Sequence, residues 1–191
     1  LTEEESEFFS YSRTSLFGLA SRRVDNSPLF LDQHFRSRLA IIAFSNDHFY
    51  GSRLDVLTDE SKGLTGPAVQ WIEIHGRFAR GPRGRSVVNA PEVEAVVDEL
   101  HRLVEDELPP EASIGVVTPY RAQAEAIRER VMRAIPGLVE RLTVASAHRF
   151  QGDERDVMVF SPTVSSEMPG FHLSFAGDPN LVNVAITRAR Q

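Results

Sequence analysis

Short apolar runs and long amphipathic stretches take turns along the second half of this chain, and that alternation limits the folds open to it. "NAPEVEAVVDELHRLVEDEL" at 89–108 carries apolar residues at 93, 96, 97, 100, 103 and 104, one helical stripe. Asn89 with Glu92 three residues on has the spacing of a capping box, and Pro109-Pro110 stop the helix. "SIGVVTP" at 113–119 is too short for a helix and reads as a strand. "YRAQAEAIRERVMRAI" at 120–135 returns to helical spacing and ends at Pro136-Gly137. "LTVASAH" at 142–148 and "DVMVFSP" at 156–162 are two further strands around a polar turn. Strands alternating with helices of ten or more residues specify βαβ units and an α/β fold with a mainly parallel sheet.

The remaining stretches are weaker. Residues 1–28 start acidic and read as a partly flexible end with a short helix; 29–191 form the domain proper. "LFLDQHF" at 29–35 and "VQWIEI" at 69–74 have the apolar density of strands. Leu39, Ile42, Ala43 and Phe49 fall at helical spacing, 57–67 is a loop, and so is the basic "GRFARGPRGR" at 76–85. A loop at 162–178 leads to a last helix, in which Val182, Val184, Ala185 and Ile186 are the expected buried positions.

Composition excludes several classes. The chain has no cysteine, so no disulfide or thiolate metal site exists in it, and no metal ligand set is expected. No run approaches the roughly 18 apolar residues of a membrane span. The start lacks the basic region of a secretory signal, so a cytoplasmic protein without membrane partners is expected. A net charge of −6 does not indicate a wholly basic nucleic-acid binder. Of 21 lysines and arginines only Lys62 is a lysine. Arginine is a rigid, permanently charged fork suited to phosphate, so its placement carries the information.

Ligands of open parallel sheets collect where strands give way to loops, and four polar clusters stand at such places. In "QHFRSR", 33–38, Arg36 and Arg38 either point at a phosphate or form a surface ion pair. In "VTPYRAQ", 117–123, Thr118, Pro119 and Tyr120 open either an anion-holding helix start or an ordinary turn. In "SAHRFQGDERD", 146–156, Ser146, His148, Arg149, Gln151, Gly152 and Glu154 make more polar chemistry than a hairpin needs; a solvated loop is the plainer alternative. In "NLVNVAITRAR", 180–190, Arg188 and Arg190 sit near a helix C-terminus, where the dipole favours cations. Two residues apart on a helix, they point about 200° from each other. One of them therefore needs a different partner from the other.

In this order, "QHFRSRLAIIAFSNDHFY", "IGVVTPYRAQ", "VASAHRFQGDERDVMVFSP" and "NLVNVAITRAR" resemble the second RecA-like domain of superfamily 1 helicases, in the Upf-type branch that acts on RNA or DNA. The resemblance spans 29–190 and implies a RecA-like, P-loop-NTPase-like three-layer sandwich carrying helicase motifs IV to VI. It implies that Arg36 and Arg188 are catalytic arginines reaching the γ-phosphate of ATP across a cleft. It places Glu154 near the nucleotide ribose, with Gln151 and Gly152 in the same turn. It puts Thr118, Pro119 and Ser146 along a single nucleic-acid strand, joined there by His148 and Arg149. Phe35 stands where the family often has tyrosine.

A phosphate-cradling loop needs G-x-x-x-x-G-K-[ST], and "ESKGLTG" around Lys62 does not supply it. No acidic strand motif for Mg²⁺ is present either. The expectation is therefore the C-terminal half of an ATP-dependent helicase, inactive alone. It would use ATP with Mg²⁺ only together with an N-terminal RecA-like domain of the same protein, with single-stranded DNA or RNA as partner. In the family a further strand follows the last motif, so the chain reads as a fragment. Phe78 and Tyr120 are candidate stacking platforms, and the 76–85 loop a candidate strand contact. A non-catalytic binding or scaffold module would instead hold Arg36 and Arg188 in internal salt bridges. A small nucleotide-binding domain acting alone would bind nucleotide unaided.

Overall fold

The computed structural model describes residues 20–21, 29–63, 66–81, 84, 86–150 and 153–190. By its contacts the chain separates into 1–32 and 33–191. Of the expected N-terminal helix only Ala20 and Ser21 fall among the described residues, and both are helical.

The centre of 33–191 is a parallel sheet of three strands: β5 (Ile114–Val117), β6 (Leu142–Ala145) and β7 (Val157–Phe160), in the order β6-β5-β7. Ile114 is in register with Leu142 on one side and Val157 on the other. Side chains alternate across this sheet, as period 2 requires. Ile114, Val116, Val144, Val157 and Val159 join the core under α2 (Ala90–Arg102) and α3 (Arg121–Ala134). Val117, Ala145, Met158 and Phe160 face the other way, onto Phe150 and α5 (Pro179–Thr187). Helices thus cover both faces of an apolar sheet, the layering of a RecA-like domain. Gly115 belongs to the second face: a Cβ there would stand 2.3 Å from the Met158 sulfur, so the central strand is glycine where its neighbour is bulky.

The helices follow the expected stripes with two exceptions. Val93, Val96, Val97, Leu100 and Leu103 of α2 and its extension are all buried. The α-helix gives way to π geometry over Leu103–Glu107, where Leu108 donates to the Leu103 carbonyl before the prolines. In α1 (Leu39–Tyr50) the buried face is Ile41, Ile42 and Ser45, while Leu39 and Ala43 lie exposed, so the true stripe is rotated from the expected one. In α5 only Ala185 of the four expected positions is fully buried; Val182, Val184 and Ile186 are half-buried.

Three expected elements change. The strand at 29–35 reduces to β1 (Gln33–His34), paired in parallel with β2 (Asp55–Val56). "VQWIEI" pairs with no strand among the described residues, and Val69 and Trp71 lie exposed. The 76–85 stretch instead contributes β3 (Phe78–Arg80), an antiparallel hairpin with β4 (Val87–Asn89). At its end the Gly81 N–H donates to the Ser86 carbonyl at 2.7 Å, and Gly84 has φ +67°. Within the expected loop 162–178, Gly170–Ala176 forms α4.

Candidate functional site

The end of α5 is a junction of three segments. Helix ends leave carbonyls without partners, and here those of Thr187 and the three residues after it are met from other segments. Arg36 donates from Nη1 to the Thr187 carbonyl at 3.1 Å. The Arg155 N–H takes Arg188 O, the Ser37 hydroxyl takes Ala189 O at 2.5 Å, and the Arg38 N–H takes Arg190 O. Arg155 and Ala189 form a parallel bridge, extending the β7 side of the sheet to the chain's last described residues. The helix dipole is thus capped by Arg36, from 151 positions away from Thr187, rather than by Arg188 or Arg190 alone.

Arg36, Arg188, Arg190 and Glu154 meet at this junction. Glu154 uses one carboxylate oxygen on Arg36 Nε at 2.5 Å and the other on Arg190 at 2.8 Å. Arg190 also reaches Asp156 at 3.5 Å. Hydrogen bonding from Arg190 is the main cause that holds the Glu154 carboxyl below its usual range. Arg188 is different. It has no ion pair among the described residues, and its Nε is buried without a hydrogen-bond partner. Burial, then the charge of Arg36, lower its pKa, so the protein itself disfavours its cation. Three guanidinium groups thus meet two carboxylates, and the half-buried one lacks a counter-ion. The arrangement suits an incoming anion.

A groove of about 500 Å³ opens here, lined by Gln33, His34, Phe35, Arg36, Glu154 and Arg190; Arg188 is not among its lining residues. His34 Nε2 accepts from the Ser37 N–H at 2.9 Å. Burial and Arg36 lower its pKa, consistent with a neutral ring that shapes the backbone turn before α1. Arg190 pairs with Glu154 and Asp156 while Arg188 has no ion pair among the described residues; both lie beyond Thr187, where α5 ends, so the helical angle between them does not apply. Gln151 and Gly152 lie outside the described residues.

Of the strand-contacting candidates, Thr118, Pro119 and Ser146 follow the C-terminal ends of β5 and β6, whereas the arginine junction lies beside the start of β7. Two of them are not at the surface. Thr118 is fully buried, its hydroxyl 3.1 Å from that of Thr163, and Pro119 is buried beside it. Their burial reflects the inward packing of the β5 terminus under the 161–165 segment, so neither side chain offers a contact. Tyr120 is 6% exposed and donates to the His172 carbonyl at 2.9 Å, which removes it as a stacking platform. Phe78 packs on the same small cluster. Ser146 is half-buried and Arg149 exposed on the 3₁₀ turn Ala147–Phe150, which also carries His148.

The same end holds a feature that motif reading misplaces. Glu92 is 7% exposed and makes no capping box. Its carboxylate accepts from the Ser161 hydroxyl at 2.5 Å, the Thr163 N–H at 2.8 Å and the Asn89 amide at 3.3 Å. Burial pushes its pKa up. Thr163 has φ +62°, a strained value for a β-branched residue. The available signal was spacing: Glu92 lies four and eight residues before Val96 and Leu100, on the buried stripe.

A family model described as an AAA domain matches residues 12–191. The chain is 31% identical over 187 residues to the putative helicase MOV-10 of Gallus gallus, covering 82% of this chain and 19% of that protein. It is 26% identical over 179 residues to helicase SEN1 of Saccharomyces cerevisiae, covering 87% of this chain and 8% of that protein. It is 29% identical over 177 residues to the regulator of nonsense transcripts 1 homolog of Arabidopsis thaliana, covering 85% of this chain and 14% of that protein. The chain spans a fifth or less of the length of these curated relatives. With a RecA-like layering, the arginine junction between its first and last motifs and a family match over most of its length, the chain belongs to the AAA-domain family of superfamily 1 helicases, in the Upf-type branch.

Proposed function

We propose that this chain is the C-terminal RecA-like half of an ATP-dependent helicase, in which Arg36 and Arg188 act as arginine fingers. The nucleotide, with Mg²⁺, would be held by an N-terminal RecA-like half and supply the free energy of translocation. This chain has no phosphate-cradling loop of its own and turns over no ATP alone. Glu154 stands beside the arginines, in reach of the sugar of such a nucleotide, with Gln151 and Gly152 assigned to the same turn. Phosphoryl transfer is mainly positioning and charge stabilisation, which is what two fixed guanidinium groups provide. Single-stranded DNA or RNA would run along Ser146, His148 and Arg149, on the segment that leaves β6. The same reading places the protein in the cytoplasm.

One observation carries this reading: Arg188, half-buried beside Arg36, has an unpartnered Nε and no counter-ion among the described residues. A buried cation kept unpaired is costly unless an anion arrives to meet it. The rival scaffold module draws on the Arg36–Glu154 ion pair, but it requires Arg188 to be paired as well. The test is Arg188→Ala in the longer protein that joins both halves. ATP turnover should fall by about 10³ or more while ATP binding and the melting temperature persist. Wild-type turnover would remove the assignment.

A further inference from the structure

We propose that Arg190 is a positioning residue: with one oxygen of Glu154 already on Arg36, it holds the other away from Arg188, the arginine left free for the phosphate. The inference rests on the finger reading given above.

Glu154 is the only acid in ion-pairing distance of Arg36 among the described residues, and it divides its oxygens. One is on Arg36 and the other on Arg190. Arg188 lies within electrostatic reach of the same carboxylate. If Arg190 were absent, the released oxygen would have two cationic neighbours to choose from, Arg188 and the remaining face of Arg36. Either choice uses up positive charge that an incoming phosphate needs. Arg190 is itself fixed. Its N–H bonds the Arg155 carbonyl, its carbonyl receives the Arg38 N–H, and its guanidinium reaches Asp156. Asp156 in turn accepts from the Ser113 N–H at 2.8 Å and the Ser113 hydroxyl at 2.6 Å, at the start of β5. A line of contacts therefore runs from the central strand through Asp156, Arg190 and Glu154 to Arg36. It holds the carboxylate in the split position.

A residue that merely supports the fold and one that restrains a competing acid behave differently when the acid is removed. In the full-length protein, Arg190→Ala should lower kcat for ATP roughly 10- to 100-fold, the equivalent of one charge-assisted hydrogen bond, with little change in KM. Glu154→Gln has its own effect through the sugar contact, so it serves as the background: there, adding Arg190→Ala should lower kcat by less than about 3-fold, because no carboxylate remains to swing onto Arg188. Asp156→Asn, which loosens Arg190 without deleting it, should move kcat the same way by less, and serves as the test if Arg190→Ala does not fold. Unchanged kcat in Arg190→Ala, or an Arg190→Ala loss just as large in the Glu154→Gln background as in wild type, overturns the proposal. Arg36→Ala and Arg188→Ala run alongside: if both keep turnover, the finger reading fails instead.

Discussion

Replacing Glu92 tests why a carboxylate without a cation sits in the interior. It accepts three hydrogen bonds and has no ion pair among the described residues. Glu92→Ala strands the buried Thr163 N–H, while Ser161 keeps its bond from Gln123. An unsatisfied buried donor costs about 1–3 kcal/mol, and loss of the anchor for strained Thr163 adds to it, so about 2–4 kcal/mol is expected. At a typical slope this lowers the urea midpoint by about 1 M or more. Glu92→Gln should cost less than about 1 kcal/mol at neutral pH. Its new amide N–H₂ can face Asn89 Oδ1, which is buried without a partner, once the Asn89 amide turns over. The two variants also separate by pH. The folded pKa of Glu92 is raised above the ordinary 4.5, so its favourable contribution is complete below about that pH and is lost as pH rises through the folded value. Urea midpoints of wild type and Glu92→Gln from pH 4.5 to 8 should therefore diverge, the Gln variant gaining on wild type as pH rises. Parallel curves, or wild type gaining, would refute the reasoning.

Gly76→Ala should destabilise by about 1–3 kcal/mol, because its Cβ would stand 2.4 Å from buried Asn89 Oδ1 and 3.1 Å from the Pro91 Cβ; thermal melting measures it. Ile127→Ala, at a position 0% exposed in the core under the sheet, should cost about 2–5 kcal/mol in chemical denaturation. Arg149→Ala should weaken single-strand binding by the longer protein and reduce the salt slope of its affinity by about one phosphate contact, with a Thr118→Ser control unaffected because Thr118 is buried; equal slopes would take Arg149 out of the strand path.

The layered α/β order is legible in the residues alone. Runs such as "IGVV" and "VMVF" bury both faces, and the stripe from Val93 to Leu103 allows one helical orientation only. These are local periodicities, and hydrophobic burial reads them directly. The helical angle expected between Arg188 and Arg190 does not apply, because α5 ends at Thr187. What Arg190 pairs with, and that Arg188 is left without an ion pair among the described residues, follows only from the tertiary structure. The pairing of Glu154 with Arg36 and Arg190 joins segments far apart in sequence, and charge bookkeeping along the chain cannot say which acid meets which arginine. The same holds for Glu92. Its spacing puts it on the buried stripe of α2, but only the arrival of Ser161 and Thr163, from the segment after β7, supplies the donors that hold it there. Thr118 likewise looks like an exposed strand end until the 161–165 segment closes over it. Periodicity is a property of one segment, whereas desolvation and ion pairing belong to the whole set of segments that meet.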